Sequence, residues 1–244
     1  MSGKSRLDVA LVERGLIDSR EKARRAIMAA QVLVDGHPVV KAGTLVSADA
    51  GIVLAAKEKF VGRGGLKLEG ALDTFRIDPV GRTCIDVGAS TGGFTDCLLQ
   101  RGAARVYAVD VGHGQLDWRL RNDPRVDVRE GVNARYLQAA DFDPSPSLGV
   151  ADVSFISLTL VLPAVFELLS PESDMVVLIK PQFELARADV GRGGIVRDGE
   201  ARLRAVEKIR DFVSRSGHHW MDSCESPITG RDGNVEFLAH IRKQ

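Results

Sequence analysis

The chain has 244 residues, of which 33 are basic and 33 acidic, so its formal net charge at pH 7 is zero. Hydrophobic residues make up 44% and charged residues 27%, which is enough apolar content to bury a core and too much to leave most of the length disordered. The longest apolar runs, at 51–56 and 175–179, are too short to span a bilayer, and residues 1–6 lack the apolar core of a secretion signal. Cys84, Cys97 and Cys224 are widely spaced and form no CxxC pair, which argues against a disulfide framework or a metal site. A cytoplasmic protein of one or two domains, without stable membrane association, is the expectation.

The neutral total hides an asymmetry. Residues 1–60 carry a net charge of about +3 and the remainder about −3. In the head, Leu7, Ala10, Leu11 and Leu16 fall near helical spacing, with Gly15 as a stop. Asp18-Ser19 offers a cap for a second helix that carries Arg20, Lys22, Arg24 and Arg25. Residues 32–34 and 38–40 flank Asp35-Gly36, a strong hairpin signal, and residues 52–54 read as a further strand. Lys57-Glu58-Lys59 reads as a linker between a head of 1–59 and a body of 60–244. Arg6-Leu7-Asp8, Leu11, Arg20, Ala23, Ile27, Val32, Val34-Asp35-Gly36, Val39, Asp49 and Ile52 together resemble the S4 RNA-binding domain. The resemblance implies RNA contact through Arg6, Arg20, Lys22, Arg24 and Arg25. Cations held on one face bind phosphates and release counterions, and structured RNA is read largely by shape.

Beyond the linker, strands alternate with helices. Residues 83–87, 105–110, 126–129, 150–153 and 175–179 read as strands. Residues 92–100, 116–121, 158–169 and 200–216 read as helices, and two extended segments follow at 220–223 and 235–241. This alternation predicts an α/β doubly wound, mainly parallel sheet, which places ligands at the carboxyl ends of its strands.

Asp86-Val87-Gly88-Ala89-Ser90-Thr91-Gly92-Gly93-Phe94 follows a buried strand and opens a helix. Its spacing is neither GxGxxG nor a P-loop, so it suits a pyrophosphate poorly. An acid before the turn, Asp86, suits a ligand amine, and an acid ending the next strand, Asp110, suits ribose hydroxyls. S-adenosylmethionine has both. The stretch resembles the first motif of the Rossmann-like methyltransferases. That resemblance implies that Gly88, Ser90 and Gly92 line the methionine part and that Asp110 meets the ribose. Glu130 and Asn133, after the third strand, are candidates near the adenine. Phe94 and Trp118 are expected to be packing residues.

Four polar residues stand near strand ends or just before the body: Lys67, Asp152, Lys180 and Glu236. They resemble the Lys-Asp-Lys-Glu tetrad of the FtsJ-like 2′-O-ribose methyltransferases. With the S4-like head, and with Arg63-Gly64-Gly65-Leu66-Lys67-Leu68, Asp152-Val153-Ser154-Phe155-Ile156-Ser157-Leu158, Lys180-Pro181-Gln182-Phe183-Glu184 and Gly193-Gly194-Ile195-Val196-Arg197-Asp198, the chain resembles the TlyA family, also labelled hemolysin A. This implies a methyltransferase of ribosomal RNA that uses S-adenosylmethionine, acting on naked RNA or on ribosomal subunits. A ribose hydroxyl must lose its proton as it attacks the methyl group. A lysine at its reference pKa of about 10.4 is no base, and burial with a second cation lowers that value. On this reading Lys180 takes the proton or steers the hydroxyl. Arg63 and Arg192, the latter in a glycine-rich loop, are further candidates for RNA contact. Two rival functions stand beside this one: a non-catalytic RNA-binding assembly factor, and a membrane-lytic protein.

Overall fold

The computed structural model describes residues 3–55 and 58–244. Lys57, expected to open the linker, lies outside the described residues. The chain divides into two compact units, one ending at Glu58 and one beginning at Lys59.

The head runs β1 (Ser5–Arg6), α1 (Leu7–Glu13), α2 (Arg20–Met28), β2 (Val32–Val34), β3 (His37–Pro38), β4 (Leu45–Val46) and β5 (Ile52–Leu54). The Ser19 hydroxyl accepts from the Lys22 amide at 3.3 Å and caps α2, supplying one partner that a helix start lacks. Ala23 and Ile27, four residues apart, are fully buried, which leaves the charged side chains of α2 outward. Asp35 and Gly36 both have positive φ (49° and 82°), as a two-residue type I′ hairpin requires. The second arm of that hairpin ends at Pro38 rather than Val40. β2 lies between β3 and β5, and β1 pairs with β4.

The body contains α3 (Gly64–Phe75), β6 (Thr83–Val87), α4 (Gly93–Gln100), β7 (Arg105–Asp110), α5 (Trp118–Arg121), β8 (Val126–Glu130), β9 (Leu148–Ala151), α6 (Leu162–Leu168), β10 (Asp174–Ile179), α7 (Pro181–Glu184), α8 (Gly199–Arg215), β11 (His219–Glu225) and β12 (Phe237–Arg242). Its seven strands order as β11-β12-β10-β9-β6-β7-β8. The five central and far strands are parallel, and β12 is antiparallel to both of its neighbours. The doubly wound expectation therefore holds, and the strand order reverses between β6 and β9. The fourth strand ends at Ala151, two residues earlier than its apolar run implied.

The central strands are buried on both faces, so β7, β9 and β10 read as largely apolar runs, whereas the edge strands β8 and β11 are polar and partly exposed. Ile85, Val87, Tyr107, Val109, Val177 and Ile179 point to one layer, where they meet Leu162, Val165, Ile209 and Val213 of α6 and α8. Cys84, Val106, Ala108, Val150, Val176 and Leu178 point to the other, against Leu68 and Leu72 of α3 and Cys97 and Leu98 of α4. Helix α3 was not foreseen. Gly64 and Gly65 open it, and glycine is a poor helix former. Space demands the second of them: a Cβ on Gly65 would sit 2.2 Å from the Phe60 ring.

Because Leu162 is fully buried, Leu162→Ala should destabilise the body by about 3 kcal/mol, within the usual 2–5 for a collapsed-site leucine. Urea unfolding followed by far-UV circular dichroism measures this, and a loss below about 1 kcal/mol would contradict the packing described.

Candidate active site

The two registers of β10 assemble the site. On its parallel side Val177 stands opposite Ala151, so continuing the ladder three residues brings Lys180 level with Ser154. On its antiparallel side Ile179 stands opposite Phe237, so the next pair is Lys180 with Glu236. The pairing of Val87 with Ala151 sets Gly88 beside Asp152. Here φ is +86° and a Cβ would lie 2.4 Å from the Asp152 carbonyl oxygen, so only glycine fits.

These strand ends open into a crevice of about 1090 Å³ lined by all four tetrad candidates. Lys67 reaches in from α3 and its Nζ donates to Glu236 Oε2 at 2.5 Å, with both side chains nearly inaccessible. The Lys180 Nζ is 2.5 Å from Asp152 Oδ1 and donates to the Ser154 hydroxyl at 2.8 Å. Asp152 and Lys180 form an ion pair, and Asp152 Oδ1 takes no hydrogen bond among the described residues. Each buried ammonium therefore has its own carboxylate, the arrangement that makes burial of charge tolerable.

Gly88, Ser90, Asp110 and Asn133 line the other half of the crevice. Asp110 accepts the amides of Ser90 and Gly112, one per oxygen and both at 2.7 Å. A carboxylate has about four acceptor positions, so two remain for hydroxyl groups. The apolar side chains of Val109, Val111 and Val132 lie alongside. A flat apolar slot beside a free carboxylate fits a nucleoside such as the adenosine of S-adenosylmethionine.

Three cofactor candidates sit elsewhere. Asp86 points beneath the turn and not into the crevice, because it belongs to the strand face covered by α4. It is fully buried, accepts from Thr95 Oγ1 at 2.7 Å, and its other oxygen has no partner among the described residues. Glu130 clamps the turn before α5: one oxygen accepts from the Gln115 amide at 3.2 Å and from Arg121 at 2.7 Å. The Arg121 guanidinium first, and then the backbone of that turn, hold its carboxyl down at about 2. Gly92 starts α4 with φ +98° and faces Leu120 and Leu116, which leave no room for a Cβ.

Phe94 is buried, as expected, whereas Trp118 is 72% exposed. Sequence reasoning passed over Gln115, Ser154, Phe155 and Phe183, all of which line the crevice. Phe155 is 91% exposed with φ +64°, and its ring centroid lies 5.2 Å from that of Phe183. Its positive φ leaves no trace in sequence, since bulky residues rarely adopt it. Buried Asn234 also lines the crevice and ties down the glycine-rich loop, accepting from the Val196 amide and donating to the Gly194 carbonyl, both at 2.9 Å.

Of the head's basic candidates, Arg6 and Arg20 both bond the buried Asp8, at 2.9 and 3.3 Å. Lys22 pairs with Asp18 and Arg25 with Glu21 one turn away. Arg24 is exposed and makes no ion pair among the described residues. In the body, Arg63 donates to the Thr229 carbonyl at 3.1 Å, and Arg192 is exposed.

Comparison with known proteins adds two family matches, one relative and two solved structures. Residues 60–243 match the family model of the FtsJ-like methyltransferases and residues 5–52 that of the S4 domain. The 16S/23S rRNA (cytidine-2′-O)-methyltransferase TlyA of Mycobacterium tuberculosis is 47% identical over 246 residues, spanning 100% of this chain and 92% of that one. A solved structure from Streptococcus thermophilus, provisionally named a hemolysin, is 43% identical with a TM-score of 0.77, over 100% of this chain and 90% of its own. An S-adenosylmethionine-dependent methyltransferase of Mesorhizobium loti shares the fold at 17% identity and a TM-score of 0.56, over 74% of this chain and 100% of its own.

Burial, aided by the charges of Asp152 and Asp110, pushes the Asp86 carboxyl from 3.8 up to about 7 against the Thr95 hydrogen bond. Between about pH 4 and pH 7 the folded chain then holds a proton that the unfolded chain has lost. This group's contribution to stability falls as pH rises through that window and is gone above it. Asp86→Asn stays neutral and still offers Thr95 an acceptor. Its stability relative to the parent chain should rise by at least about 1 kcal/mol between pH 5 and pH 8. Parallel stability curves for the two proteins over that range would refute the assignment.

Proposed function

The chain belongs to the FtsJ-like methyltransferase family, and we propose that it moves a methyl group from S-adenosylmethionine to a ribose 2′-hydroxyl of ribosomal RNA. One observation carries this reading: two lysine–carboxylate pairs, drawn from four separate segments, line the same crevice as the glycine turn and Asp110. The relative from Mycobacterium tuberculosis, named for cytidine-2′-O methylation of rRNA, supports the choice of substrate. Phe155, exposed at the rim, supports it too, because unstacked bases rest on aromatic faces. The S4 domain supplies the RNA grip in this proposal, through Arg24 and its paired neighbours and through Arg63 and Arg192 in the body. A cytoplasmic location goes with this substrate.

S-adenosylmethionine, when bound, supplies a methyl group on a sulfonium that leaves as a neutral thioether. The remaining work belongs to the chain. Gly88 leaves room for close approach, Asp110 holds ribose hydroxyls, and the valine-lined slot takes the adenine, with Asn133 at its edge. Lys180, after its ammonium has given a proton to solvent, accepts the proton of the 2′-hydroxyl as that oxygen forms the new bond to carbon. Asp152 balances the ammonium so formed, and the Lys67–Glu236 pair holds the opposite wall. Holding hydroxyl and donor in line supplies much of the acceleration by proximity alone.

Lys180→Ala should lower methyl transfer by at least about 100-fold, the usual scale for loss of a general base. Cofactor affinity and melting temperature should stay near those of the parent. Transfer of labelled methyl to purified rRNA measures the rate, and near-normal turnover in a folded, cofactor-binding variant would overturn the assignment.

A further inference from the structure

We infer that Ser154 is a positioning residue that aims Lys180 at the substrate hydroxyl. The inference rests on the reading of Lys180 as proton acceptor. A lysine amine is an effective base only along its lone pair, and rotation about the Cε–Nζ bond decides where that lone pair points. Asp152 holds the nitrogen at 2.5 Å as an ion pair, which fixes its distance and charge. The Ser154 hydroxyl, at 2.8 Å, is the only aligned hydrogen bond that Lys180 makes among the described residues. That bond fixes one of the three positions about the nitrogen, and the Asp152 carboxylate at 2.5 Å occupies a second, which leaves one direction for the lone pair.

The serine is itself held. Its place opposite Lys180 follows from the β9–β10 ladder. The far end of its segment is tied to buried Glu184, which accepts the Leu158 amide at 2.8 Å and the Ser157 hydroxyl at 2.5 Å. Lys208 donates to the Glu184 carbonyl at 2.6 Å and so fastens α7 to α8. The end of the 152–158 segment is thereby tied to 180–184, which limits how far the loop that carries Ser154 can move from the amine. Ser154 is exposed at the crevice rim, with no core role that its hydroxyl serves.

Steady-state kinetics with purified rRNA and labelled S-adenosylmethionine test this. Ser154→Ala should lower kcat by about tenfold or more, because misaligned reacting groups lose rate steeply. KM for rRNA, the cofactor dissociation constant and the melting temperature should stay within about twofold or a degree or two, as for an ordinary surface substitution. Ser154→Thr, which restores the hydroxyl, should recover kcat to within about threefold of the parent. An unchanged kcat in Ser154→Ala, a loss confined to KM, or no recovery in Ser154→Thr would each overturn the inference. Lys180→Ala run beside them separates the two levels. If it is inactive while Ser154→Ala is normal, only the inference falls. If Lys180→Ala is itself active, the proton-acceptor reading falls first.

Discussion

The site depends on one constraint: β10 is bonded on one side to a parallel strand and on the other to an antiparallel one. Parallel pairing carries the carboxyl ends of β9 and β10 to the same edge of the sheet. Antiparallel pairing with β12 brings the amino end of that strand to the same edge. Residues 180 and 236, distant along the chain, therefore meet without any loop having to carry them there. A fully parallel sheet would have sent the start of its last strand to the opposite edge, away from the reacting groups.

The electrostatic consequence is a balanced interior. Two ammonium groups and two carboxylates share a crevice whose walls are largely apolar. Lys67 and Glu236 satisfy one another at close range, which takes that pair out of competition for solvent or substrate. Lys180 instead divides its ammonium between Asp152 at 2.5 Å and the hydroxyl of exposed Ser154 at 2.8 Å. That difference between two otherwise similar lysines is the physical ground for giving them different work. The same economy operates in the cofactor half. Asp110 organises the loop from Ser90 to Gly112 and keeps acceptor positions in reserve, while Glu130 is consumed by the turn it stabilises.

The doubly wound sheet was readable because its strands are buried on both faces and its helices carry periodic apolar residues. The glycine turn was readable because backbone conformation there admits few residue types. Which face Asp86 would present was not readable from the turn alone. The alternation that runs through Cys84, Asp86 and Val87 determines it, and that alternation has meaning only once α4 is known to cover the even-numbered side. Helix α3 escaped notice because intimate packing against Phe60 outweighed the poor helical preference of its glycines. Ser154, Gln115 and Phe155 carried no periodic or compositional signal. They belong to the site through strand register and loop geometry, which a linear pattern does not encode. The tetrad was legible only by resemblance, since nothing in the spacing of positions 67, 152, 180 and 236 says that they meet.

Phe155 stands between two fastened serines, Ser154 on Lys180 and Ser157 on Glu184, in a left-handed conformation that a bulky residue adopts at a cost of about 1–3 kcal/mol. The folded protein meets that cost in advance through the hydrogen bonds on either side. The backbone therefore carries the ring outward at the crevice rim, where on the proposed reading an arriving base would meet it. Ordering that a softer loop would have to acquire at the moment of encounter has been moved here to the moment of folding.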